Sequence, residues 1–359
     1  MELWEFWQHR GKTTIHLVVS RHLYRQLVRL PGLVHFREGC PNLIILECTS
    51  PASFLAPLLR LAWRAGPGAV FHYPLRGLPL VHSLLRQRLI VSYTANVFFA
   101  LYAGGWRRKL MFWLQVLGAE KVDVLNPLNF ERFRRQPWLK DKVVLNPGSF
   151  VDLARYVGDV EKRNWIVFCG RFVEGDPKNA IRFVSAIPAI HAALQRANVG
   201  DVRYCLLGEG ALEAEMRAMI RQDTYRNIDI EMGFVSAPAE VLKQSRVFVS
   251  IQKGSNYPSK SLLEALACGN LPVVTDVGET RMIAAPAFSC YVSADPADAE
   301  LASAIAGLFS MSPAEWNSKV GMAREFVRTR FDISAHDQHY LRLYGLVPGD
   351  AAPDREPQR

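Results

Sequence analysis

The sequence predicts an α/β chain of two domains, each built on a parallel β-sheet covered by helices. Three observations predict it. Short apolar runs alternate with stretches of helical period along most of the chain. A proline- and glycine-containing break, Asn146-Pro147-Gly148-Ser149-Phe150-Val151-Asp152, interrupts the alternation near the middle. The 359 residues, 49% hydrophobic and 21% charged, suffice for two cores of ordinary size.

In the first half, residues 13–19 read as a strand, 21–30 as a helix, 43–48 as a strand and 54–63 as a helix. The pattern continues with strand 69–72, helix 78–88, strand 89–93, a helical region over 96–118, and strands 121–125 and 142–145. This half reads as a Rossmann-like domain over residues 1–150, followed by a polar linker over 151–163. In the second half, 164–346, strand 165–169 ends in Gly170-Arg171, and Lys178 follows an acidic, proline-containing loop. Strand 202–207 then runs into Gly208-Glu209-Gly210 and helix 211–221, and strand 228–232 into Gly233-Phe234 and helix 239–244. Residues 247–251 form a buried apolar strand; Pro258 opens a helix at its first position, Gly269 closes it, and 271–275 form the next strand. Strand 290–293 and helices over 298–308, 314–328 and 336–344 complete the domain, and the Pro-rich, charged tail 347–359 reads as disordered.

Charge divides the halves. Residues 1–150 hold 20 Lys and Arg against 8 Asp and Glu, net +12; the remaining 209 hold 23 against 26, net −3, which together give the chain's +9. No zinc-finger, RRM-like or helix-turn-helix signature accompanies the basic half, so an anionic membrane surface or a diphosphate-linked acceptor fits it better than nucleic acid. Trp106, Arg107, Arg108, Lys109, Leu110, Met111, Phe112 and Trp113 set cations beside large apolar groups; the aromatics read as core and the charges as solvated or membrane-facing. Arg132, Arg134 and Arg135 read as a solvated helix face. The uncharged run 90–106 carries Ser92, Thr94, Asn96 and two glycines and is marginal in length for a membrane span. The mixed, charged N-terminus does not read as a signal peptide. Cys40, Cys48, Cys169, Cys205, Cys268 and Cys290 lack metal-site spacing and read as free thiols of a cytoplasmic protein.

The chemistry concentrates in the loop between Ile251 and Pro258 and the helix after it. A helix N-terminus presents free N–H groups and a positive dipole end, which suit phosphate. Glu264 lies one turn deeper, on the helix face of Tyr257, Lys260 and Ser261. A carboxylate does not bind phosphate, so its partner is a hydroxyl, and a phosphate beside a diol describes a nucleotide. A structural alternative stands beside this one: Ser261 and Glu264 fit an S-x-x-E capping box, and Lys260 and Glu264 fit a helical ion pair.

The stretch NYPSKSLLEALACGNLPVVTDVGET, residues 256–280, resembles the donor-binding signature of glycosyltransferase family 4. The resemblance implies a GT-B fold, two Rossmann-like domains facing a cleft, with an N-terminal acceptor domain and a C-terminal nucleotide-sugar donor domain. It implies transfer from a nucleotide-diphosphate sugar with retention and without a metal or other cofactor, to a glycan or lipid-linked acceptor. In the family two glutamates separated by seven residues read sugar and ribose; here Glu264 matches the second, and Asn256 stands at the first. By the same resemblance Arg171 and Lys178 bind the leaving diphosphate, Gly170, Gly208, Gly210 and Phe234 line the nucleotide pocket, and Asn256, Tyr257, Pro258, Ser259, Lys260 and Ser261 form the donor loop. The family's glycine turn after the first strand is absent from Ser20-Arg21-His22, and no catalytic histidine carries over at Tyr93-Thr94-Ala95-Asn96; His72 and His82 lie nearby and read as structural. Bacterial surface polysaccharide or lipopolysaccharide assembly, peripheral to the inner face of a membrane, is the expected setting. Two other readings stay open at this level: an epimerase, which turns over without acceptor, and a catalytically silent scaffold, which binds nucleotide only.

Overall fold

The computed structural model describes residues 16–21, 24–25, 43–46, 55–73, 78–93, 105–158, 160–255 and 257–346. Asn256, the tail 347–359, most of the expected helix 21–30 and residues 96–104 lie outside the described residues. The chain divides into two compact units, residues 1–145 with 340–359, and residues 146–339.

In the first unit, β1 (Leu17–Ser20) and β2 (Leu43–Leu46) pair in parallel. After them come α1 (Leu55–Ala65), β3 (Val70–Tyr73), α2 (Pro79–Leu84), β4 (Arg88–Tyr93), α3 (Trp106–Gly118), β5 (Lys121–Val124), α4 (Pro127–Arg134) and β6 (Val143–Leu145). Strands β3-β4-β5-β6 form a four-stranded parallel sheet, as crossovers through helices require. Strand alternation splits β4 between two faces. Leu89, Val91 and Tyr93 join Phe112, Val116 and Phe133 in one buried cluster, while Ile90 packs with Tyr340 and Leu343 on the other. Phe112 is therefore core, as its sequence context suggested, whereas Trp106, expected to be core with it, is exposed. Arg132, Arg134 and Arg135 are exposed on and just after α4, the solvated face expected of them.

The second unit opens with α5 (Leu153–Tyr156) and β7 (Arg163–Cys169), then α6 (Ala180–Arg196), β8 (Arg203–Leu207), α7 (Glu213–Ile220), β9 (Asp229–Gly233), α8 (Pro238–Gln244), β10 (Ser245–Ser250), α9 (Lys260–Ala267), β11 (Leu271–Thr275), β12 (Cys290–Val292), α10 (Asp298–Phe309) and α11 (Pro313–Arg330); α12 (Ile333–Tyr344) begins in this unit, and its residues from 340 on belong to the first. The sheet is wholly parallel in the order β12-β11-β10-β7-β8-β9, the doubly wound arrangement. Alternation again assigns the faces: Ile166, Phe168, Val247, Val249 and Val273 pack on the α6 and α10 side, whereas Val167, Phe248 and Val274 pack on the α8 and α9 side.

Helix α6, which the strand pattern left unassigned, buries Phe183, Val184, Ile187, Ile190 and Leu194 at helical spacing. Pro188 inside it removes the N–H that would bond Val184 O, and the Tyr225 hydroxyl donates to that carbonyl at 3.0 Å instead. The polar stretch before β7 packs with this unit: Val151 N–H donates to Phe331 O at 2.8 Å, and half-buried Lys162 Nζ donates to the carbonyls of Ser245 and Cys268 at 2.7 and 2.8 Å. Among the described residues no helix is long and apolar enough to cross a membrane, and Cys169, Cys205, Cys268 and Cys290 are free thiols.

Candidate functional site

Strand order reverses between β7 and β10. Crossovers leave these neighbours toward opposite faces, so their carboxyl ends open a crevice, where open α/β sheets hold ligands. Gly170 and Arg171 follow β7, and the loop 251–259 follows β10.

Glycines let the turns after β7 and β8 approach each other. A Cβ at Gly208 would lie 1.8 Å from Gly170 O, and one at Gly210 would lie 2.4 Å from Phe172 O. Gly170 N–H donates to Leu207 O and Phe172 N–H to Glu209 O, each at 3.0 Å, which locks the two turns together. Lys178 folds over Gly170, where a Cβ would come within 2.5 Å of its Cδ. Its ammonium lies 3.4 Å from Cys169 O. Burial lowers the Lys178 pKa, and the nearby Cys169 and Glu264 side chains oppose that shift. The loop carrying Lys178 is held by Asp176, whose carboxylate accepts Ala180 N–H at 2.7 Å and Ile181 N–H at 3.0 Å at the start of α6.

The second wall is α9, and here two expectations change. Pro258 is not the first helical residue: Ser259, with extended backbone (ψ 103°), is the N-cap, and the helix starts at Lys260. Tyr257 therefore shares no helix face with Glu264; Lys260 and Ser261 do. The Ser261–Glu264 capping box is not formed, because Glu264 is the fifth helical residue and the cap lies elsewhere. Gly269 follows the C-cap with φ +79°, the left-handed stop that its position foretold.

Ser259 Oγ is buried without a hydrogen-bond partner at the mouth of this helix. Glu264 is buried, and the hydroxyl of Tyr156 on α5 lies within reach of its charge. Burial raises the Tyr156 pKa, with the Glu264 charge adding to it, so the phenol stays neutral and remains a donor. Tyr257 is pushed up to about 12, chiefly by burial and then by Glu279. The Lys260 ammonium sits 5.2 Å from the Phe150 ring centroid.

The loop before the helix is tied on both sides. Lys253 N–H donates to Pro177 O at 3.0 Å, joining it to the Lys178 loop; Thr275 Oγ1 donates to Gln252 O at 2.8 Å, and Ser255 Oγ donates to Glu279. The fold thus joins Gly170, Gly208, Gly210, Lys178 and Glu264 by contact or electrostatic reach, and places exposed Arg171 and Phe234 after the carboxyl ends of β7 and β9, with β8 between them. Phe234 is exposed rather than core. Sequence reasoning missed Tyr156, Asp176 and Glu279. Glu279 follows a tight glycine turn within the signature and was open to notice; Tyr156 lies in a stretch whose composition reads as linker.

His72 and His82 of the first unit are each engaged at both nitrogens. His72 bonds the Tyr344 hydroxyl at 2.7 Å and Ser92 Oγ at 2.6 Å, and Ser92 Oγ donates to buried Asp123 at 2.7 Å. His82 bonds the Tyr73 hydroxyl at 2.9 Å and Gln87 Oε1 at 2.8 Å. Both serve the architecture, in line with the structural role expected of them.

Residues 163–311 match the family model described as Glycosyl transferases group 1. No curated protein matches in sequence. Solved structures similar in fold include Anabaena Alr3699/HepE in complex with UDP and glucose, with TM-score 0.70 and 12% identity over 96% of this chain and 95% of that one. A glycosyltransferase from Rickettsia africae ESF-5 aligns with TM-score 0.66 and 14% identity over 95% and 93% of the two chains. The pneumococcal O-GlcNAc transferase GtfA, in complex with UDP and GlcNAc, aligns with TM-score 0.60 and 14% identity over 83% and 60%. The fold is that of the GT-B glycosyltransferases, and the stretch that matches the group 1 glycosyltransferase model covers most of the second unit.

Proposed function

We propose that this chain, which carries a group 1 glycosyltransferase domain over residues 163–311, is a retaining glycosyltransferase using a nucleotide-diphosphate sugar. The observation that carries the reading is that buried Glu264 lies within electrostatic reach of the Lys178 ammonium, beside the carboxyl ends of the two strands where the order reverses. Glu264 takes the ribose hydroxyls. Lys178, Arg171 and the N–H groups that open α9 take the diphosphate.

In the transfer, the bond from the anomeric carbon to the distal phosphate oxygen breaks and a bond to the acceptor oxygen forms on the same face. Negative charge grows on the leaving phosphate, and fixed cations already in place stabilise it without a metal. The acceptor's proton passes to a leaving phosphate oxygen, so no protein base is assigned. Asn256 takes the position of the sugar-reading acid and offers the hydroxyls a neutral donor and acceptor. A glycan or lipid-linked acceptor in bacterial surface polysaccharide or lipopolysaccharide synthesis, met in the cytoplasm at a membrane face, completes the proposal.

Calorimetric titration with UDP, GDP and ADP tests it, on the wild type and on Arg171→Ala and Glu264→Ala. UDP is the first candidate because HepE and GtfA were solved with it. Both substitutions should weaken binding of the preferred nucleotide about tenfold or more, the cost of one charge-assisted hydrogen bond. Binding of no nucleotide, or binding indifferent to both residues, refutes the reading. Release of nucleoside diphosphate that requires an added acceptor then separates a transferase from an epimerase or a silent scaffold.

A further inference from the structure

Two neighbouring helices of the first unit carry large apolar side chains on their outer faces. On α3, Trp106, Leu110, Leu114 and Leu117 recur at steps of four, four and three, one stripe of an α-helix, and all are exposed. The opposite stripe, with Phe112 and Val116, is already spent on the sheet. On α2, Leu80 and Leu84 are one turn apart and exposed. The six exposures run from 41% at Leu114 to 83% at Leu84, so these are not core residues glimpsed at an edge. The helices are in close contact: a Cβ at Gly118, the last residue of α3, would lie 2.4 Å from Pro79 Cβ, the first of α2. Soluble surfaces seldom group so many large apolar side chains without a partner that covers them.

The charges beside these stripes identify the partner. Helices α2 and α3 contain Arg107, Arg108 and Lys109 and no Asp or Glu, and exposed Arg86 follows α2. The Arg107 guanidinium lies 5.5 Å from the Trp106 ring centroid, a pairing of indole and cation suited to the headgroup level of a bilayer. A second copy docked by the same face would set these cations against their own images. A polar acidic protein would neutralise the cations and leave the leucines uncovered. An anionic lipid surface supplies both an apolar interior and negative headgroups.

We propose that the outer faces of α2 and α3 seat the protein on an anionic phospholipid bilayer, with Leu80, Leu84, Trp106, Leu110, Leu114 and Leu117 entering the interface. The helices lie on the membrane rather than cross it. The inference stands apart from the nucleotide site, which belongs to the other unit.

The test is flotation of the full chain with vesicles of phosphatidylcholine alone or with phosphatidylglycerol added. The wild type should float with the anionic vesicles, less as salt is raised. Leu84→Glu with Leu110→Glu should abolish flotation, and Arg107→Glu with Lys109→Glu should weaken it by tenfold or more. Both pairs sit on solvent-facing positions; unchanged circular dichroism shows that the fold is kept. As a readout that needs no charge introduced into the stripe, brominated lipids should quench wild-type tryptophan fluorescence more than that of Trp106→Phe. No flotation of the wild type, or flotation and quenching indifferent to these substitutions, overturns the proposal. A wild-type dimer that the leucine substitutions convert to monomer overturns it in favour of a second copy. Absence of UDP, GDP and ADP binding would refute the transfer reading and leave this one untouched.

Discussion

Replacing Tyr156 by Phe removes one hydroxyl and almost no volume, and the structure fixes what that hydroxyl does. It lies beside the carboxylate of Glu264, a buried charge close enough to act on it. A hydrogen bond to a charged group contributes about 1.5–3 kcal/mol, and without the hydroxyl the carboxylate loses one group that can orient it. Tyr156→Phe should therefore weaken UDP about tenfold or more, although Tyr156 touches no ligand in the proposed arrangement. Calorimetry on four proteins, wild type, Tyr156→Phe, Glu264→Ala and the double substitution, separates orientation from general damage. In the Glu264→Ala background the tyrosine substitution should have no further effect. With 2′,3′-dideoxy-UDP, which lacks the ribose hydroxyls, it should have little effect even in the wild-type background. Equal weakening of both nucleotides, or wild-type affinity of Tyr156→Phe beside a weakened Glu264→Ala, refutes the assignment of Tyr156 as a positioning residue.

The folded Lys178 has a pKa below the ordinary 10.5, so an anion binds best where this lysine is still protonated; UDP affinity should fall as pH rises through that depressed value, with proton uptake measurable by calorimetry in buffers of different ionisation enthalpy. Gly208→Ala sets a Cβ 1.8 Å from Gly170 O and should destabilise the second unit by about 1–3 kcal/mol or more in denaturant titration, and lower UDP affinity through the displaced turn. Asp176→Ala removes the acceptor of two N–H groups at the start of α6 and should cost about 1–2 kcal/mol of stability, with UDP weakened because the Lys178 loop is released.

Much of this was legible beforehand because the signals are local. Strand and helix periods in the second half follow from which side chains one sheet face or one helix stripe buries, and Gly269 announced the end of α9 because a left-handed residue there needs no Cβ. The start of the same helix was misplaced by two residues. Proline suits a first helical position, yet the extended Ser259 takes the cap, a choice set by the loop packing behind it: a Cβ at Gly148 would come 3.2 Å from the Pro258 ring. Helix α6 hid behind Pro188, whose cost is offset by Tyr225, a residue distant in sequence.

The sequence by itself determined the α/β class, the donor-like stretch and the residues fit for phosphate and ribose, since each depends on neighbours a few positions apart. Tertiary structure alone decided that Tyr156 lies beside Glu264 and that Lys178 folds over Gly170. It likewise settled that Trp106 points outward with Leu80 and Leu84 while Phe112 turns inward. These depend on strand order and on which helix packs over which strand, and burial and charge proximity are properties of that arrangement, not of any single segment.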